Sequence, residues 1–120
     1  MPMADSRPEA RAVTRHEARL PGTADLRASS AILHAAAHPA RLAVLIALRR
    51  LGPQPAGQLQ DLTGLEQSAL SHQLRTLREA RLIASQRKGR LIIYSLVDNA
   101  LIAPLEDLVV ASRGRTTRPG

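Results

Sequence analysis

Apolar residues recur at helical spacing from residue 23 onward, and the pattern predicts a first helix from Thr23 to about Ala37. Thr23 can act as its N-cap, because a threonine hydroxyl accepts a backbone N–H of the first turn. The apolar side of this helix is formed by Leu26, Ile32 and Leu33. Residues 1–22 contain three prolines and few large apolar side chains, so they are predicted to form a flexible arm.

Two further helices are predicted before residue 64. The first covers residues 40–51, directly after Pro39, because proline is tolerated in a first helical turn. It ends at the Gly-Pro pair of residues 52–53. The next helix runs from Ala56 to Thr63 and is closed by Gly64. Its inward residues are predicted to be Leu59 and Leu62.

A fourth helix, from Gln67 to about Ala80, has the clearest division between an apolar and a polar side. Its apolar stripe is Leu70, Leu74 and Leu77, at spacing i, i+4, i+7. At 100° per residue, a group of hydrogen-bonding and cationic side chains shares a different part of the circumference. This polar face consists of Ser68, Ser71, His72, Arg75 and Arg78. It is therefore available to a partner outside the domain.

After Arg81 the period changes to that of a β-hairpin. Residues 82–86 and 91–96 are rich in β-favouring side chains, and residues 87–90 (RKGR) are predicted to form a cationic turn between them. A last helix is predicted from Asn99 to Ser112, in which Pro104 either introduces a kink or moves the start downstream. Residues 113–120 are predicted to be a disordered tail.

Composition limits both the fold and the chemistry. The chain has 120 residues, enough for one small domain, and Tyr94 is its one aromatic residue, so the core must be aliphatic. Such a small core gains stability if leucine faces are also buried in a dimer. The absence of cysteine excludes disulfides, thiolate metal sites and cysteine nucleophiles. No apolar run approaches the ~18 residues of a membrane span, so a cytoplasmic protein is expected.

Positive charge is concentrated in one part of the chain. The formal net charge is +7, and residues 66–90 carry six basic side chains against two acidic ones. The following segment, residues 91–112, has three acidic side chains and no basic one. This segregation favours a polyanionic partner, most simply nucleic acid. A helix, a glycine turn, a helix with a polar face and a basic hairpin together predict a mainly α winged helix-turn-helix with a two-stranded wing.

Three segments resemble the ArsR/SmtB family of bacterial transcriptional regulators. Residues 65–80 (LEQSALSHQLRTLREA) are similar to its recognition helix, residues 32–42 (ILHAAAHPARL) to the opening of its second helix, and residues 91–96 (LIIYSL) to its second wing strand. Each segment alone is a moderately specific match, but the three segments in this order make a strong resemblance. The resemblance covers roughly residues 25–110 and implies a homodimeric, sequence-specific DNA-binding regulator in residues 23–112.

The resemblance also implies roles for individual residues. The side chains that it turns toward DNA, taken with the polar face, are Gln67, Ser68, Ser71, His72, Arg75 and Arg78, and those of the wing are Arg87, Lys88 and Arg90. The family pairs through its first and last helices. That assigns the dimer interface here to Leu26, Ile32, Leu33, Leu101, Leu105, Leu108 and Val109.

Two positions depart from the family pattern. Glu66 stands where a small N-cap residue is usual, and its carboxylate suits a helix N-terminus but can repel a phosphate. Arg81 stands where glycine usually follows the recognition helix. If that position is left-handed, arginine there costs about 1 kcal/mol or more.

Many members of the family respond to metals, but their cysteine sites cannot exist in this chain. The family's last-helix site is also expected to be absent, because Ala100 occupies its histidine position and no histidine follows His72. His34 and His38 are four residues apart and, with His16 from the arm, form a candidate Ni²⁺ or Zn²⁺ site. Packing or surface roles for these histidines are favoured by about two to one, since no ligand cluster lies nearby.

Two alternatives to a DNA-binding regulator remain open from sequence. The chain could be a winged-helix module that binds a partner regulator protein, or a metal-binding protein that uses its histidines. No nucleophile motif or acid pair points to catalysis, so an enzyme is the least expected class.

Overall fold

The computed structural model describes residues 19–115, together with Ala12 and Thr14. The predicted arm (1–22) and tail (113–120) lie largely outside the described residues, and both remain predictions. The described part consists, in chain order, of α1 (Thr23–Ala36), α2 (Pro39–Leu51), β1 (Gln54–Pro55), α3 (Ala56–Thr63), α4 (Gln67–Glu79), β2 (Ile83–Lys88), β3 (Leu91–Leu96) and α5 (Asn99–Ala111). The fold is the predicted winged helix-turn-helix, with a three-stranded antiparallel sheet in place of two strands.

The first two helices begin differently from one another. Gly22, and not the predicted Thr23, is the N-cap of α1, and no side chain caps that helix. At α2 the backbone N–H of Ala40 donates to Nδ1 of His38 at 3.0 Å, and Pro39 follows the cap as predicted.

Within the part of the chain that the structure describes, no single helix is long and apolar enough to cross a bilayer. The α1–α2 pair reaches that length only across a 100° bend.

The helix-turn-helix is formed by α3 and α4. Gly64 ends α3 in the left-handed conformation, with φ of 71°, which glycine adopts without a Cβ clash. The predicted apolar stripe of α4 is confirmed, since its three leucines are at most 3% exposed. The inward position predicted for Leu62 is wrong. Its side chain is 48% exposed, because it borders an open hollow with Leu51, itself 53% exposed, whereas Leu59 is fully buried.

The wing differs from its prediction at the turn. Strands β2 and β3 remain paired as far as Lys88 opposite Leu91, so the turn contains only Gly89 and Arg90. Gly89 has φ of 63°, as a two-residue hairpin turn requires. The predicted four-residue turn is therefore wrong, because ladder hydrogen bonds continue through two of its cations. Strand β1 adds to the free edge of β3 and gives the order β1-β3-β2.

The core is aliphatic, as the composition predicts. Its fully buried side chains include Val44, Leu45, Leu48, Leu59, Leu77 and Ile102, drawn from α2, α3, α4 and α5.

Helix α5 begins at Asn99, so the predicted shift of its start beyond Pro104 is wrong. Asp98 explains this start, since its Oδ1 accepts the backbone N–H of Ala100 at 2.9 Å.

An ion-pair group joins α2 to α5. The carboxylate of Glu106 accepts hydrogen bonds from Nε of Arg50 at 2.6 Å and from Nη1 of Arg49 at 2.8 Å. The Arg50 hydrogen bond is the main cause that lowers the pKa of Glu106 below its usual value of 4.5. Helix α2, which supplies much of the core, is therefore linked by charge as well as by packing to α5, which carries four of the predicted dimer residues.

The lowered pKa of Glu106 predicts a loss of stability in acid. A depressed carboxyl pKa contributes stability above the unfolded-state value, and this contribution disappears as the pH falls through the folded-state pKa. We therefore expect the free energy of unfolding to fall below about pH 4.5, and to fall less steeply in Glu106→Gln. Urea titrations between pH 3 and 7 measure this. The same dependence of the unfolding free energy on pH in the wild type and in Glu106→Gln would contradict this prediction.

Arg81 adopts the strained conformation that the family pattern implies, with φ of 62°. A left-handed residue with a Cβ costs about 1–2 kcal/mol, partly offset by the greater chain entropy of unfolded glycine. We expect Arg81→Gly to raise the free energy of unfolding by about 0.5–1 kcal/mol in urea titrations. The control is Ala80→Gly, at φ of −80°, which should lower it by a similar amount. Destabilisation by both would contradict the prediction.

Candidate nucleic-acid interface

The polar side of α4 forms an open groove of about 610 Å³. Burial of the leucine stripe turns this side outward, so its position follows directly from the helical period. The residues that line the groove are Glu66, Gln67, Ser68, Ser71, His72 and Arg75. Five of the six α4 residues predicted to face DNA are therefore brought together on one surface.

Most polar groups in the groove are unengaged. The hydroxyl of Ser68 donates to Oε1 of Glu66 at 3.2 Å. Within residues 19–115, no side-chain hydrogen bond or ion pair involves Gln67, Ser71 or Arg75. A groove with free amide, hydroxyl and guanidinium groups can make the hydrogen bonds that read base edges in a major groove.

The remaining predicted cations lie apart from the groove. Arg78 is exposed on α4 but does not line it. Arg87 and Lys88 are successive residues of β2, so their side chains point to opposite faces of the wing. Nε of Arg87 donates to the carbonyl of Gly89 at 3.2 Å, and Arg90 occupies the turn itself. The structure therefore does not gather the three wing cations at one point.

The predicted dimer residues differ in exposure. Those with exposed side chains are Leu26, Leu33, Leu101 and Leu108, and those half-buried against their own chain are Ile32 and Val109. Leu105 is only 7% exposed, so it belongs mainly to the core of its own protomer. Leu33 and Leu108 border an apolar hollow of about 200 Å³, whose wall also contains Ala36, Ala37, Leu42 and Leu105.

The candidate metal ligands do not form a cluster in the described part of the chain. His34 is exposed in the last turn of α1, while Nδ1 of His38 caps α2. His16 lies outside the described residues. In the described ranges, no three histidine or acidic side chains are placed to hold a metal. A Ni²⁺ or Zn²⁺ site at these histidines remains a prediction.

The residues at the start of α5 do not fit the family's last-helix metal site. Asp98 uses Oδ1 to cap the helix, and Ala100 has no ligand atom.

Glu66 belongs to the groove, although sequence reasoning noted it only as a departure from the family pattern. It is the N-cap of α4 by backbone geometry, yet its carboxylate accepts no backbone N–H of the helix. Its carboxylate lies beside the hydrogen-bonding groups instead. The sequence feature that could have indicated its place in the groove is its position directly before Gln67, at the N-terminal end of α4.

Fold and site together define a winged helix-turn-helix protein with a recognition helix free to enter the major groove. Residues 38–85 match the family described as bacterial regulatory protein, arsR family. The chain is 40% identical over 83 residues to the HTH-type transcriptional regulator YgaV of Escherichia coli, spanning 67% of this chain and 84% of YgaV. The chain therefore belongs to the arsR family, whose members are DNA-binding transcriptional regulators.

Two other similar proteins frame this assignment. The HTH-type transcriptional regulator NmtR of Mycobacterium tuberculosis is 45% identical over 80 residues, which span 67% of this chain and 66% of NmtR. The homodimeric winged helix-turn-helix DNA-binding domain Mb0332 of Mycobacterium bovis has the same fold, with a TM-score of 0.65 at 19% identity. That match covers 92% of this chain and 99% of the Mb0332 domain.

Proposed function

We propose that two copies of this chain pair through α1 and α5 and bind a two-fold symmetric DNA operator, with each α4 in a major groove. The observation that carries the proposal is the groove on α4, where free hydrogen-bonding groups and Arg75 share one exposed surface. Arg75 can donate two parallel hydrogen bonds to guanine, and Gln67 can pair with adenine. The exposed wing cations are suited to adjacent phosphates.

Pairing is supported by the exposed apolar residues on α1 and α5. Leu33 is 55% and Leu108 is 62% exposed at the border of the apolar hollow, so a single copy leaves large apolar side chains in water. A second copy placed on this surface removes them from water and sets the two recognition helices at a fixed separation. Dimeric helix-turn-helix proteins read half-sites about 10 base pairs apart in this way.

The proposal is tested by selection of binding sites from random duplexes with the purified chain. We expect an inverted repeat to be enriched, and its affinity to fall by about 10³-fold or more between 50 and 200 mM salt if six or more phosphates are neutralised. Absence of any enriched sequence, with equal affinity for shuffled duplexes, would remove the proposal. Capture of a partner protein without DNA binding would favour the protein-interaction alternative.

Removal of the negative charge of Glu66 should strengthen DNA binding. Its carboxylate lies in the groove beside Ser68 and adds repulsion as phosphates approach. We expect Glu66→Gln to lower the Kd for DNA by about two- to fivefold at low salt, and by less at high salt, because exposed charges are screened. Fluorescence anisotropy at two salt concentrations measures this. A weaker affinity in the variant would show that the carboxylate makes a favourable contact.

A further inference from the structure

One polar contact joins α4 to the rest of the domain. Nη1 of Arg41, in the first turn of α2, donates to Oε1 of Gln73 at 2.9 Å. Gln73 lies in the middle of α4 and is half-buried, between residues that line the groove. Among residues 19–115, no other side-chain hydrogen bond or ion pair connects α4 with another element.

The same guanidinium also holds the end of α1. Nε of Arg41 donates to the backbone carbonyl of Ala35. The neighbouring carbonyls of His34 and Ala36 already accept the N–H groups of Ala37 and His38, at 3.3 and 2.8 Å. Arg41 therefore satisfies a carbonyl that the end of a helix otherwise leaves without a partner, and its positive charge suits a helix C-terminus.

These two hydrogen bonds fix the rotation of α4 relative to α1 and α2, which apolar packing alone leaves less defined. The other contacts of α4 with the core come from its leucine stripe, and apolar contacts have little directional preference. A guanidinium is planar, with donors in a rigid fork. Its Nε and Nη1 therefore hold the Ala35 carbonyl and the Gln73 amide in one geometry. A small rotation of α4 about its axis breaks this geometry and also turns Arg75 and Ser71 away from their bases.

We propose that Arg41 and Gln73 are positioning residues for DNA recognition, which set the rotation of α4 relative to α1 without touching DNA. The inference rests on the proposed function, since it concerns how the same groove is presented to an operator. Because α1 carries part of the proposed dimer surface, the link also relates the recognition helix to the partner copy. Its loss should reduce specific binding more than non-specific binding, which depends on charge alone.

The test compares the Kd for the selected duplex with the Kd for a shuffled duplex, using full-length variants. We expect Arg41→Lys and Gln73→Met each to lower this specificity ratio by about three- to tenfold for each half-site, the range for one lost hydrogen bond. The double variant should lose no more than Arg41→Lys alone, because that substitution already removes the bond to Gln73. Gln73→Glu should keep the ratio close to that of the wild type, since a carboxylate accepts from Arg41 at least as well as an amide.

The matched control is Arg49→Lys, the same substitution about two turns further along α2, where the guanidinium contacts Glu106 and not α4. It should leave the specificity ratio unchanged. If Arg41→Lys fails to fold in a thermal melt, Gln73→Met decides the question, because methionine preserves size and helix propensity. Two results would overturn the link but leave the proposed function standing. In one, the wild type prefers the selected duplex and Gln73→Met has the same specificity ratio. In the other, the loss in the double variant is the product of the two single losses. A wild type that prefers no duplex would overturn the proposed function, and the link with it.

Discussion

Arg75→Ala is expected to weaken binding to the selected operator by about 5- to 150-fold for each half-site, the range for one bidentate contact to a base pair. Arg75 lies in the α4 groove with its guanidinium free of any described ion pair, so both of its parallel donors are available. The loss should be concentrated at one position of each half-site. Anisotropy titrations against the selected duplex and its single-base variants measure both effects.

Two arginine variants serve as comparisons for Arg75→Ala. Arg27→Ala removes an exposed positive charge from α1, outside the groove and the wing, and should change the Kd less than twofold. Arg78→Ala removes an α4 charge that does not line the groove, so it should weaken all sequences alike and reduce the salt dependence. Equal Kd values for Arg75→Ala and the wild type would show that the groove is not the recognition surface.

Leu108→Glu should separate the proposed dimer. Leu108 is 62% exposed beside the apolar hollow, and a dimer buries two copies of it. Loss of two leucine burials, each worth about 1.5–3 kcal/mol, predicts a dimer Kd raised by about 10²- to 10⁴-fold. Operator affinity should fall in parallel, since one recognition helix then binds alone. Sedimentation equilibrium over a concentration series gives the dimer Kd.

The control for Leu108→Glu is Leu62→Glu. Leu62 is also exposed, at 48%, but it lies on α3 beside Leu51 and away from α1 and α5. This variant should keep the wild-type dimer Kd. A wild-type chain that stays monomeric at micromolar concentration, or equal effects of the two substitutions, would contradict pairing through α1 and α5.

The helix-turn-helix was predictable because its sequence period and its burial agree. The leucines of α4 repeat at i, i+4, i+7 and all three are buried, so the polar face could be assigned before any coordinates. Gly64 likewise marks the end of α3 in both sequence and structure. Local patterns suffice wherever the decisive contacts lie within one element.

Features that depend on contacts between elements could not be predicted. Strand β1 has two residues and exists only because β3 offers it a pairing edge. In α5 most side chains are apolar, so the hydrophobic pattern could not distinguish core from surface positions. Leu105 is buried in its own protomer, whereas Leu108 is exposed. The contact between Arg41 and Gln73 spans 32 positions, and although both residues lie in segments that resemble the family, nothing in those segments indicates that they meet.

The candidate site was predicted in its centre and less well at its edges. Helical geometry places four of the six groove residues on one face, the family resemblance adds Gln67, and Glu66 was missed. The wing cations were placed in one turn, but strand alternation directs Arg87 and Lys88 to opposite faces. The capping of α2 by Nδ1 of His38 was not predicted, because it is set by the break between two helices, and a metal site at this histidine remains a prediction.

The central claim is that two α4 helices enter successive major grooves of one duplex, and targeted DNA cleavage tests it most directly. Because the chain has no cysteine, Arg78→Cys provides one attachment site per copy for an iron chelate on α4, outside the groove. We predict two symmetric clusters of hydroxyl-radical cleavage on the selected duplex, about 10 base pairs apart. A single cluster, or cleavage spread evenly along the duplex, would contradict the account.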